Sequence, residues 1–388
     1  MISDTRRLAV GLAGLCTFIN LYATQPLLPL FARDFQATEA QVSLTVSATT
    51  FAVAMVAPFV GVVADVIGRK RIITGAMTLL VLPTILAALS HSLTELVLWR
   101  FVQGLLLPPI FAVTVAYIGD EWPPREVATA TGVYIAASGL GGFLGRFLSG
   151  IIADHAGWRA AFWLIAGITL VSAAVVAATL PRERRFVKAE GFGQSARLML
   201  QHFFNPPIVA TFAVGFVVLF VFVATFTYVN FYLAAPPFDL STSALGAIFV
   251  VYLFAVVVTP MTTRWIHRLG RRVLVLVTAP VWCAGLLITL VPSLPVIIAG
   301  LAMVSASGFA VQTAATSLLA QRATVARSSA VGLYVAFYYV GGSVGAALPA
   351  VVWARAGWPG CVMLIIAALA IVTILVARFW RDERPTTA

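Results

Sequence analysis

The chain is built from long apolar runs that are separated by short polar interruptions. Each run has about 20 residues, which is the helix length that crosses a hydrocarbon layer of about 30 Å. Twelve runs follow one another in the 388 residues, so we predict twelve transmembrane helices. The predicted spans cover approximately residues 8–31, 42–64, 72–89, 96–117, 127–153, 158–180, 208–233, 243–265, 273–291, 295–319, 328–353 and 359–379.

Composition and charge support a membrane protein. The chain is 61% hydrophobic and only 10% charged, whereas a soluble domain has about 25% charged residues. The net charge of +11 comes from cations that cluster at the chain ends and in every second loop. This alternation is the positive-inside pattern, so we predict that both termini are cytoplasmic and expect the lipid bilayer, with no nucleic acid, as partner. The clusters are Arg6-Arg7, Arg69 to Arg71, Arg125, Arg182 to Arg197, Arg264 to Arg272, Arg322 with Arg327, and Arg378 to Arg384.

An internal repeat relates the two halves of the chain. Adding 200 to a position in the fifth predicted span gives an identical residue in the eleventh at many sites, without a gap. We therefore predict an N-terminal six-helix bundle over residues 1–181, a cytoplasmic linker over 182–205 and a C-terminal six-helix bundle over 206–388. The positions with an identical counterpart are Ala130, Gly132, Tyr134, Ala136, Gly141, Gly142, Gly145, Leu148, Ala156, Gly157 and Trp158.

Two motifs resemble those of a known family. The loop after the second span reads Gly61-Val-Val-Ala-Asp65-Val-Ile-Gly68-Arg69-Lys70-Arg71. It resembles the signature loop of the major facilitator superfamily, G-x-x-x-D-x-x-G-R-[KR]-[KR]. The fourth span opens with Trp99-Arg100-Phe101-Val102-Gln103-Gly104, which resembles the R-x-x-Q-G motif of the same family. The resemblance implies an all-α integral membrane protein with twelve transmembrane helices in two pseudo-symmetric six-helix bundles.

The resemblance also implies a secondary active transporter of the inner membrane that works by alternating access. In the family the loop aspartate holds the cytoplasmic side shut against the start of the eleventh helix, here near Ser328-Ser329. On this basis we assign a gating role to Asp65, Gly68, Arg69 and Asp120. Independently of the family, an anion at the C-terminal end of a helix needs a compensating partner. Gly68 allows the chain to reverse there, because glycine adopts positive φ without strain.

The nearest branch of the family is the sugar-efflux and drug/proton antiporters. The Pro26-x-x-Pro29 pair is similar to the first-helix motif of the drug/proton antiporters, although Asn20 replaces a glycine of that motif. The fifth-helix motif of that branch departs further, since Gly142 replaces its proline and Arg146 its last glycine. The resemblance implies proton-coupled efflux of a small organic molecule. Proton-coupled uptake by a symporter remains the alternative.

Polar side chains within the spans are the candidates for substrate binding. A cation in a span costs at least about 2.5–3.5 kcal/mol, so Arg100 and Arg146 either face a polar cavity or cap carbonyls and tie helices together. For the uncharged polar residues the alternative is hydrogen bonding between helices. As a set they favour a neutral or weakly charged organic substrate. The predicted substrate-binding residues are Asn20, Arg100, Gln103, Ser138, Arg146, Tyr228, Asn230, Gln312, Tyr334 and Tyr338.

The best candidate for proton coupling is Asp34, followed by Glu39, and cofactor chemistry has no candidate. By the predicted topology no Asp or Glu lies inside a span, so we assign coupling to Asp34 at the outer end of the first span, with an ordinary loop carboxylate as the alternative. The three cysteines lie in apolar runs and the four histidines are scattered, which favours neither a metal site nor an enzyme. No phosphate-binding loop motif for ATP is present. We expect a monomer without cofactors; a membrane-embedded enzyme or a sensor is a distant alternative.

Overall fold

The computed structural model describes residues 2–183, 201–323 and 327–380. In these ranges all regular secondary structure is helical, as the apolar runs predict. Three short 3-10 helices, Gln25–Leu27, His202–Phe204 and Phe249–Leu253, lie between longer helices. The α-helices are α1 (Ile2–Leu21), α2 (Leu28–Asp34), α3 (Glu39–Val56), α4 (Val60–Ile67), α5 (Arg69–Ala88), α6 (Leu93–Glu121), α7 (Pro124–Thr179), α8 (Pro206–Ala234), α9 (Thr242–Ile248), α10 (Phe254–Leu269), α11 (Arg271–Ile288), α12 (Leu294–Arg322), α13 (Arg327–Ala347) and α14 (Pro349–Phe379).

The helices have the lengths that membrane crossing requires. Eleven helical segments of the described residues are long and apolar enough to span a membrane. One of them, α7, has 56 residues, but Gly157 breaks it with a φ of 80° that is not helical, so α7 provides two crossings. Gly357 breaks α14 at the corresponding place of the repeat, with a φ of 56°. The prediction of an all-helical membrane protein is confirmed.

The first two predicted spans are each interrupted. The run from residue 8 to 31 forms α1, a 3-10 turn and α2, and Pro26 and Pro29 lie at the starts of the last two elements. Proline has no N–H to donate and its ring clashes with a continuing helix, so carbonyls at the end of α1 lose their helical partners. The predicted span 42–64 is likewise divided into α3 and α4 around Pro58. Because of these breaks, neither span is one continuous helix.

The contacts divide the described residues into two compact units. Unit 1 lies within Met1–Gly191 together with Val229–Val250, and unit 2 within Phe192–Tyr228 together with Val251–Ala388. The end of α8 and all of α9 therefore group with unit 1, whereas the repeat predicts a boundary before residue 206. Residues 184–200 of the predicted linker lie outside the described residues, so the boundaries 182–205 stay a prediction.

Equivalent glycines bring equivalent helices into close contact within each unit. In unit 1 a Cβ at Gly141 or Gly145 of α7 would overlap the backbone of Leu15 or Ile19 in α1. In unit 2 the repeat partners Gly341 and Gly345 of α13 meet Phe216 and Phe220 of α8 in the same way. Small residues permit this approach between membrane helices, where packing and not the hydrophobic effect drives association. The sequence repeat thus corresponds to a repeated helix pair.

Candidate functional site

Arg100 caps the end of the interrupted helix α1. Its Nη1 donates to the Asn20 carbonyl at 2.8 Å and its Nη2 to the Leu21 carbonyl at 2.6 Å, the last two residues of α1. Its Nε donates to the Thr45 carbonyl of α3 at 3.3 Å, and Nη1 also reaches Gln103 Oε1 at 2.6 Å. The side chain is fully buried. A guanidinium suits this position because its donors point in several fixed directions and it keeps its charge.

A chain of amide and hydroxyl groups extends from Arg100 and joins four helices. Gln103 Nε2 donates to Thr84 Oγ1 at 2.8 Å, and the Thr84 hydroxyl lies 3.2 Å from Asn20 Oδ1. Asn20 Nδ2 then donates to Thr169 Oγ1 at 2.9 Å. Every one of these side chains is buried. The structure thus brings Asn20, Arg100 and Gln103 together, and it adds Thr84 and Thr169, which the sequence analysis did not identify.

Arg146 lies between two aromatic rings in the second buried polar cluster of unit 1. Its Nε donates to Gln25 Oε1 at 2.7 Å and its Nη1 to the Gly142 carbonyl at 2.6 Å. The guanidinium carbon is 4.3 Å from the ring centre of Tyr22 and 4.6 Å from that of Phe249. Such cation–π contacts gain strength when the cation is desolvated, as it is here with only 3% of Arg146 exposed.

Gln25 connects Arg146 with a second predicted site residue. Its side-chain oxygen accepts from Arg146, while its backbone carbonyl accepts from Asn230 Nδ2 at 3.0 Å. The Asn230 side chain is fully buried and belongs to the part of α8 that groups with unit 1. The sequence analysis did not identify Gln25. A signal was present, because Gln25 lies directly before Pro26, where the helical hydrogen bonds are interrupted and polar groups are left to make other contacts.

Ser138 is part of the packing between α1 and α7. Its Oγ donates to the Tyr134 carbonyl at 2.7 Å in the same helix, and a Cβ at Gly14 would collide with that hydroxyl. The Tyr134 hydroxyl lies 3.4 Å from the Phe111 carbonyl of α6. Ser138 lies two helical turns before Arg146 along α7, but its hydrogen bond to Tyr134 does not involve the residues around Arg146.

Three predicted site residues come together in unit 2. The Tyr334 hydroxyl donates to Gln312 Oε1 at 2.8 Å, which joins α13 to α12. The Tyr338 ring stacks on that of Tyr334 with centroids 6.2 Å apart, and Tyr339 meets Tyr338 edge-on at 5.3 Å. Gln312 and Tyr338 are half-buried, while Tyr334 is buried. This aromatic and amide surface carries no charged group of its own.

Tyr228 makes a separate set of contacts in unit 2. Its hydroxyl donates to the Ala346 carbonyl at 2.8 Å, at the end of α13, and its ring centre lies 5.8 Å from that of Trp353. The tyrosine is fully buried. It therefore serves the packing of α8 against the junction of α13 and α14, and a role in substrate binding stays a prediction.

The predicted gate is described in part. Gly68 separates α4 from α5 with a φ of 102°, and Arg69 forms an ion pair with Asp120. Arg69 Nη1 also donates to the Ala116 carbonyl at 2.8 Å, near the end of α6. The backbone of Asp65 lies in α4, but its side chain, like that of Ser328, lies outside what the structure describes. The proposed closure of the gate by Asp65 therefore stays a prediction.

Two carboxylates at helix ends differ in their contacts. Asp34 Oδ1 lies 3.8 Å from Arg33 Nε, and both side chains are exposed, so the assignment of proton coupling to Asp34 also stays a prediction. Asp154, three residues before the break at Gly157, accepts from the backbone N–H groups of Thr242 at 3.1 Å and Ser243 at 2.7 Å. It thereby connects α7 to the first residues of α9, a contact that the sequence analysis did not foresee.

The described residues contain no group of three or more His, Cys, Asp or Glu side chains that is arranged to hold a metal ion. The three cysteines are free, and Cys16 and Cys361 are buried. The polar clusters instead consist of arginine, amide, hydroxyl and tyrosine groups inside a bundle of membrane-crossing helices. This combination defines a polytopic membrane protein with buried polar sites, which is the organisation expected of a transporter.

Comparison with known proteins gives the family. The model of the major facilitator superfamily matches residues 10–258 and 231–388, so the chain belongs to that superfamily and is a secondary transporter. The superfamily consists of transporters and not of enzymes, which confirms that part of the sequence analysis. The prediction from the Asp65 loop and the Arg100 motif is thus confirmed at the level of the superfamily.

Individual relatives agree with this assignment. The inner membrane transport protein YnfM of Escherichia coli (strain K12) is 33% identical over 95% of this chain and 88% of its own length. An uncharacterized transporter of Buchnera aphidicola subsp. Schizaphis graminum is 31% identical over 95% of this chain and 89% of its own. The crystal structure of the nucleoside transporter NupG superposes with a TM-score of 0.81, covering 97% of this chain and 100% of that one, at 13% identity. The last similarity establishes the fold alone.

Proposed function

We propose that the protein exports a small, neutral or weakly charged organic molecule across the inner membrane in exchange for protons. The observation that carries the substrate class is the hydrogen bonding of the two arginines inside the membrane spans. Arg100 and Arg146 donate to carbonyl and amide oxygens of the protein, and Arg146 also stacks on two aromatic rings. A strongly anionic substrate would have to break these bonds, each worth about 1.5–3 kcal/mol when one partner is charged. A neutral substrate leaves them in place.

The surface best suited to contact such a substrate is the one formed by Gln312, Tyr334 and Tyr338. It combines aromatic faces with an amide and a hydroxyl, and two of the three side chains are only half-buried. Ligand sites commonly have this character, with apolar or aromatic walls and a few polar groups that fix orientation. In this proposal Tyr338 stacks on the substrate, and Gln312 supplies the hydrogen bond that distinguishes it from a plain hydrocarbon.

In unit 1 the proposal assigns Arg100, Asn20 and Gln103 to holding the interrupted α1 in place. The capping of the Leu21 carbonyl supports the second of the two interpretations that the sequence left open for Arg100. Direct contact between Arg100 and the substrate is then unnecessary. Arg146 and Asn230, joined through Gln25, form the polar part of unit 1 that responds to the substrate, since a rearrangement of Gln25 changes both contacts together.

Proton exchange is supported by analogy and by where the carboxylates lie. In the described residues every Asp and Glu is at a helix end, beside the break at Gly157 or in a connection. The coupled proton must therefore be bound at an aqueous end of the bundle, and we assign it to Asp34. Efflux is favoured by the similarity of Pro26-x-x-Pro29 to the antiporter motif, and the inner membrane by the YnfM relative. Proton-coupled uptake is the second candidate.

The test is proton movement in energised inside-out vesicles that contain the full-length protein. Their lumen is acidified by respiration, and a panel of pentoses, neutral aromatics, organic cations and organic anions is added from outside. We expect a neutral or weakly charged compound to dissipate the pH gradient, with no effect in vesicles that lack the protein. If only strongly anionic compounds dissipate the pH gradient, the result contradicts the proposed substrate class. Dissipation seen only in right-side-out vesicles, with alkalinisation of the medium, identifies uptake.

A further inference from the structure

The segment Val229–Val250 belongs to unit 1 by its contacts but is joined to unit 2 at both of its ends. It contains the end of α8, the connection that follows and all of α9. The chain enters it from Tyr228 and leaves it through Val251, and both of these residues group with unit 2. Two covalent links therefore transmit a movement of unit 2 to this segment, whereas non-covalent contacts hold it on unit 1.

Polar and aromatic side chains attach the segment to unit 1. Asn230 Nδ2 donates to the Gln25 carbonyl at 3.0 Å, where the first span is interrupted. At the other end of the segment, the ring centre of Phe249 lies 4.6 Å from the guanidinium carbon of Arg146. Arg146 also donates to Gln25 Oε1. The two attachments therefore meet at Gln25 and Arg146.

Asp154 holds the start of α9 through two hydrogen bonds. One carboxylate oxygen accepts from the backbone N–H of Thr242 at 3.1 Å, and the other accepts from that of Ser243 at 2.7 Å. The first N–H groups of a helix have no partner within the helix, and the helix dipole favours an anion there. Asp154 is exposed, so water can replace the two N–H groups when α9 moves away. The contact is therefore one that can break and form again.

The backbones of α7 and α9 approach each other directly beside this carboxylate. A Cβ at Gly150 would lie 2.5 Å from the Thr242 carbonyl oxygen, and a Cβ at Gly246 would lie 2.8 Å from the Arg146 carbonyl oxygen. Among the helices, α9 packs chiefly against α7 and the 3-10 helix Gln25–Leu27. Small residues allow membrane helices to pack in this way, so a larger side chain at Gly150 would push α9 off α7.

The face of α7 that α9 covers continues along the helix, where it is uncovered. The helical period of 3.6 residues aligns five positions on this face, namely Gly132, Ile135, Gly139, Arg146 and Gly150. Arg146 is only 3% exposed and Gly150 is buried, whereas Ile135 is 60% exposed and the two other glycines are exposed as well. By the positive-inside prediction, the covered part is the outer end and the uncovered part is the cytoplasmic end. This is the pattern that alternating access produces along a substrate path.

We propose that the segment Val229–Val250 is the outer gate of the transporter and that Asp154 holds this gate closed. When unit 2 draws the segment away from α7, Thr242 and Ser243 leave the carboxylate to water and the contact at Gly150 opens. The outer end of the α7 face then becomes accessible from outside. The inference rests on the proposed transport function, but neither on the substrate class nor on proton coupling.

The test measures the accessibility of single cysteines in membrane vesicles and needs no substrate. A membrane-impermeant maleimide is added to right-side-out or to inside-out vesicles that contain the full-length protein. The outer reporter is Leu245→Cys, because Leu245 of α9 is only 1% exposed, and the cytoplasmic reporter is Ile135→Cys. Each reporter is combined with Asp154→Ala, or with Gly150→Leu, which displaces α9 without a change of charge. The three native cysteines, Cys16, Cys283 and Cys361, are replaced by alanine in all variants.

Two matched controls separate the gate from a general loosening of the bundle. Glu95→Ala removes a carboxylate at the same predicted side of the membrane, which accepts from the His91 N–H at 2.8 Å and not from α9. Gly167→Leu adds the same side chain to α7 at a position where nothing lies within 4 Å of the Cβ. Equal membrane content and equal elution volume in detergent establish that all variants fold.

We expect Asp154→Ala to accelerate labelling of the outer reporter in right-side-out vesicles by about 2- to 30-fold, the range that the loss of a helix cap gives. Labelling of the cytoplasmic reporter in inside-out vesicles should become slower at the same time, because a transporter that is open to the outside is closed to the cytoplasm. Gly150→Leu should change both rates in the same directions. The controls should change each rate by less than about twofold, as surface substitutions do.

Faster labelling at Leu245 without slower labelling at Ile135 would overturn the proposal, since Asp154 would then anchor α9 only locally. Unchanged labelling in both the Asp154 and the Gly150 variants would do the same. Labelling of the outer reporter from the cytoplasmic side alone would show that the gate lies on the wrong side of the membrane. A negative result in the proton assay does not change these labelling rates, so the gate and the proposed substrate class are tested independently.

Discussion

Arg100 Nη2 donates a 2.6 Å hydrogen bond to the carbonyl of Leu21, the residue at which α1 ends. The interruption of α1 therefore leaves carbonyl groups to which the cation in α6 donates its hydrogen bonds. Pro26 and Pro29 prevent the helix from continuing, and Arg100 supplies the donors that the missing helical turn would have given. A charge that is costly in a membrane is retained because it supplies donors to the carbonyls of Asn20 and Leu21, where α1 ends.

Arg100→Ala should destabilise the protein. The carbonyls of Asn20 and Leu21 lose the donor that Arg100 gives them, whereas the Thr45 carbonyl keeps the hydrogen bond from the Thr49 hydroxyl. Each buried acceptor left without a donor costs about 1–3 kcal/mol. We expect the free energy of unfolding in detergent to fall by at least about 2 kcal/mol, measured from the unfolding temperature and chemical unfolding. Arg33→Ala, which removes an exposed cation, is the control. An unchanged stability with only a raised KM would instead support direct substrate contact by Arg100.

Gly141→Ala should weaken the contact between α1 and α7. The added Cβ overlaps the backbone of Leu15, which cannot move without shifting the helix, and overpacking of this kind costs about 1–3 kcal/mol. Gly132 lies in the same helix with nothing within 4 Å of its Cβ position. Gly132→Ala is therefore the matched control and should be neutral or stabilising by up to about 1 kcal/mol, the helix propensity difference. Equal unfolding temperatures for the two variants would contradict this packing argument.

Much of the fold could be predicted from the sequence, because membrane crossing imposes a length and an apolar composition that are visible in a single chain. The repeat between Gly141 and Gly341 also predicted which helices correspond. The partners within the polar clusters could not be predicted. Thr84 and Thr169 look like ordinary helix residues. Only the packing of α1, α5, α6 and α7 reveals that Thr84 connects Gln103 to Asn20 and that Thr169 accepts from Asn20 in turn.

The grouping of α9 with unit 1 could not be predicted from the sequence either. The repeat assigns residues 206–388 to one bundle, but the contacts of Asn230 with Gln25 and of Asp154 with Thr242 depend on the orientation of helices far apart in the chain.

Arg146→Ala should impair transport while the protein still inserts and folds. The change removes the donors to Gln25 Oε1 and to the Gly142 carbonyl, and it leaves Tyr22 and Phe249 without the cation between them. We expect at least a tenfold lower transport rate at equal membrane content. Arg159→Ala is the control, because Arg159 also stacks on an aromatic ring, that of Trp158, but belongs to none of the candidate clusters. Full activity of the Arg146 variant would show that the residue is structural.

Asp34→Asn should separate substrate movement from proton movement. If this carboxylate carries the coupled proton, its neutral replacement abolishes dissipation of the pH gradient but leaves exchange of labelled substrate for unlabelled substrate intact. The two assays are run on the same proteoliposomes once a substrate has been found. Glu39→Gln, which neutralises the neighbouring carboxylate at the start of α3, should retain both activities. A normal proton signal from the Asp34 variant would exclude it as the coupling residue.

Asp154→Ala should loosen the start of α9. Its carboxylate accepts from the N–H groups of Thr242 and Ser243, the first two residues of that helix, and the loss of such a cap costs about 0.5–2 kcal/mol. If this cost appears as local opening, amide hydrogen exchange at the two residues should accelerate about 2- to 30-fold, since each 1.4 kcal/mol is a factor of ten. Ser241 continues to cap Ala244, so exchange deeper in α9 should change less. Asp154→Asn keeps one acceptor oxygen and should give an intermediate rate, whereas exchange that is unchanged in both variants would mean that the contact does not hold α9 in solution.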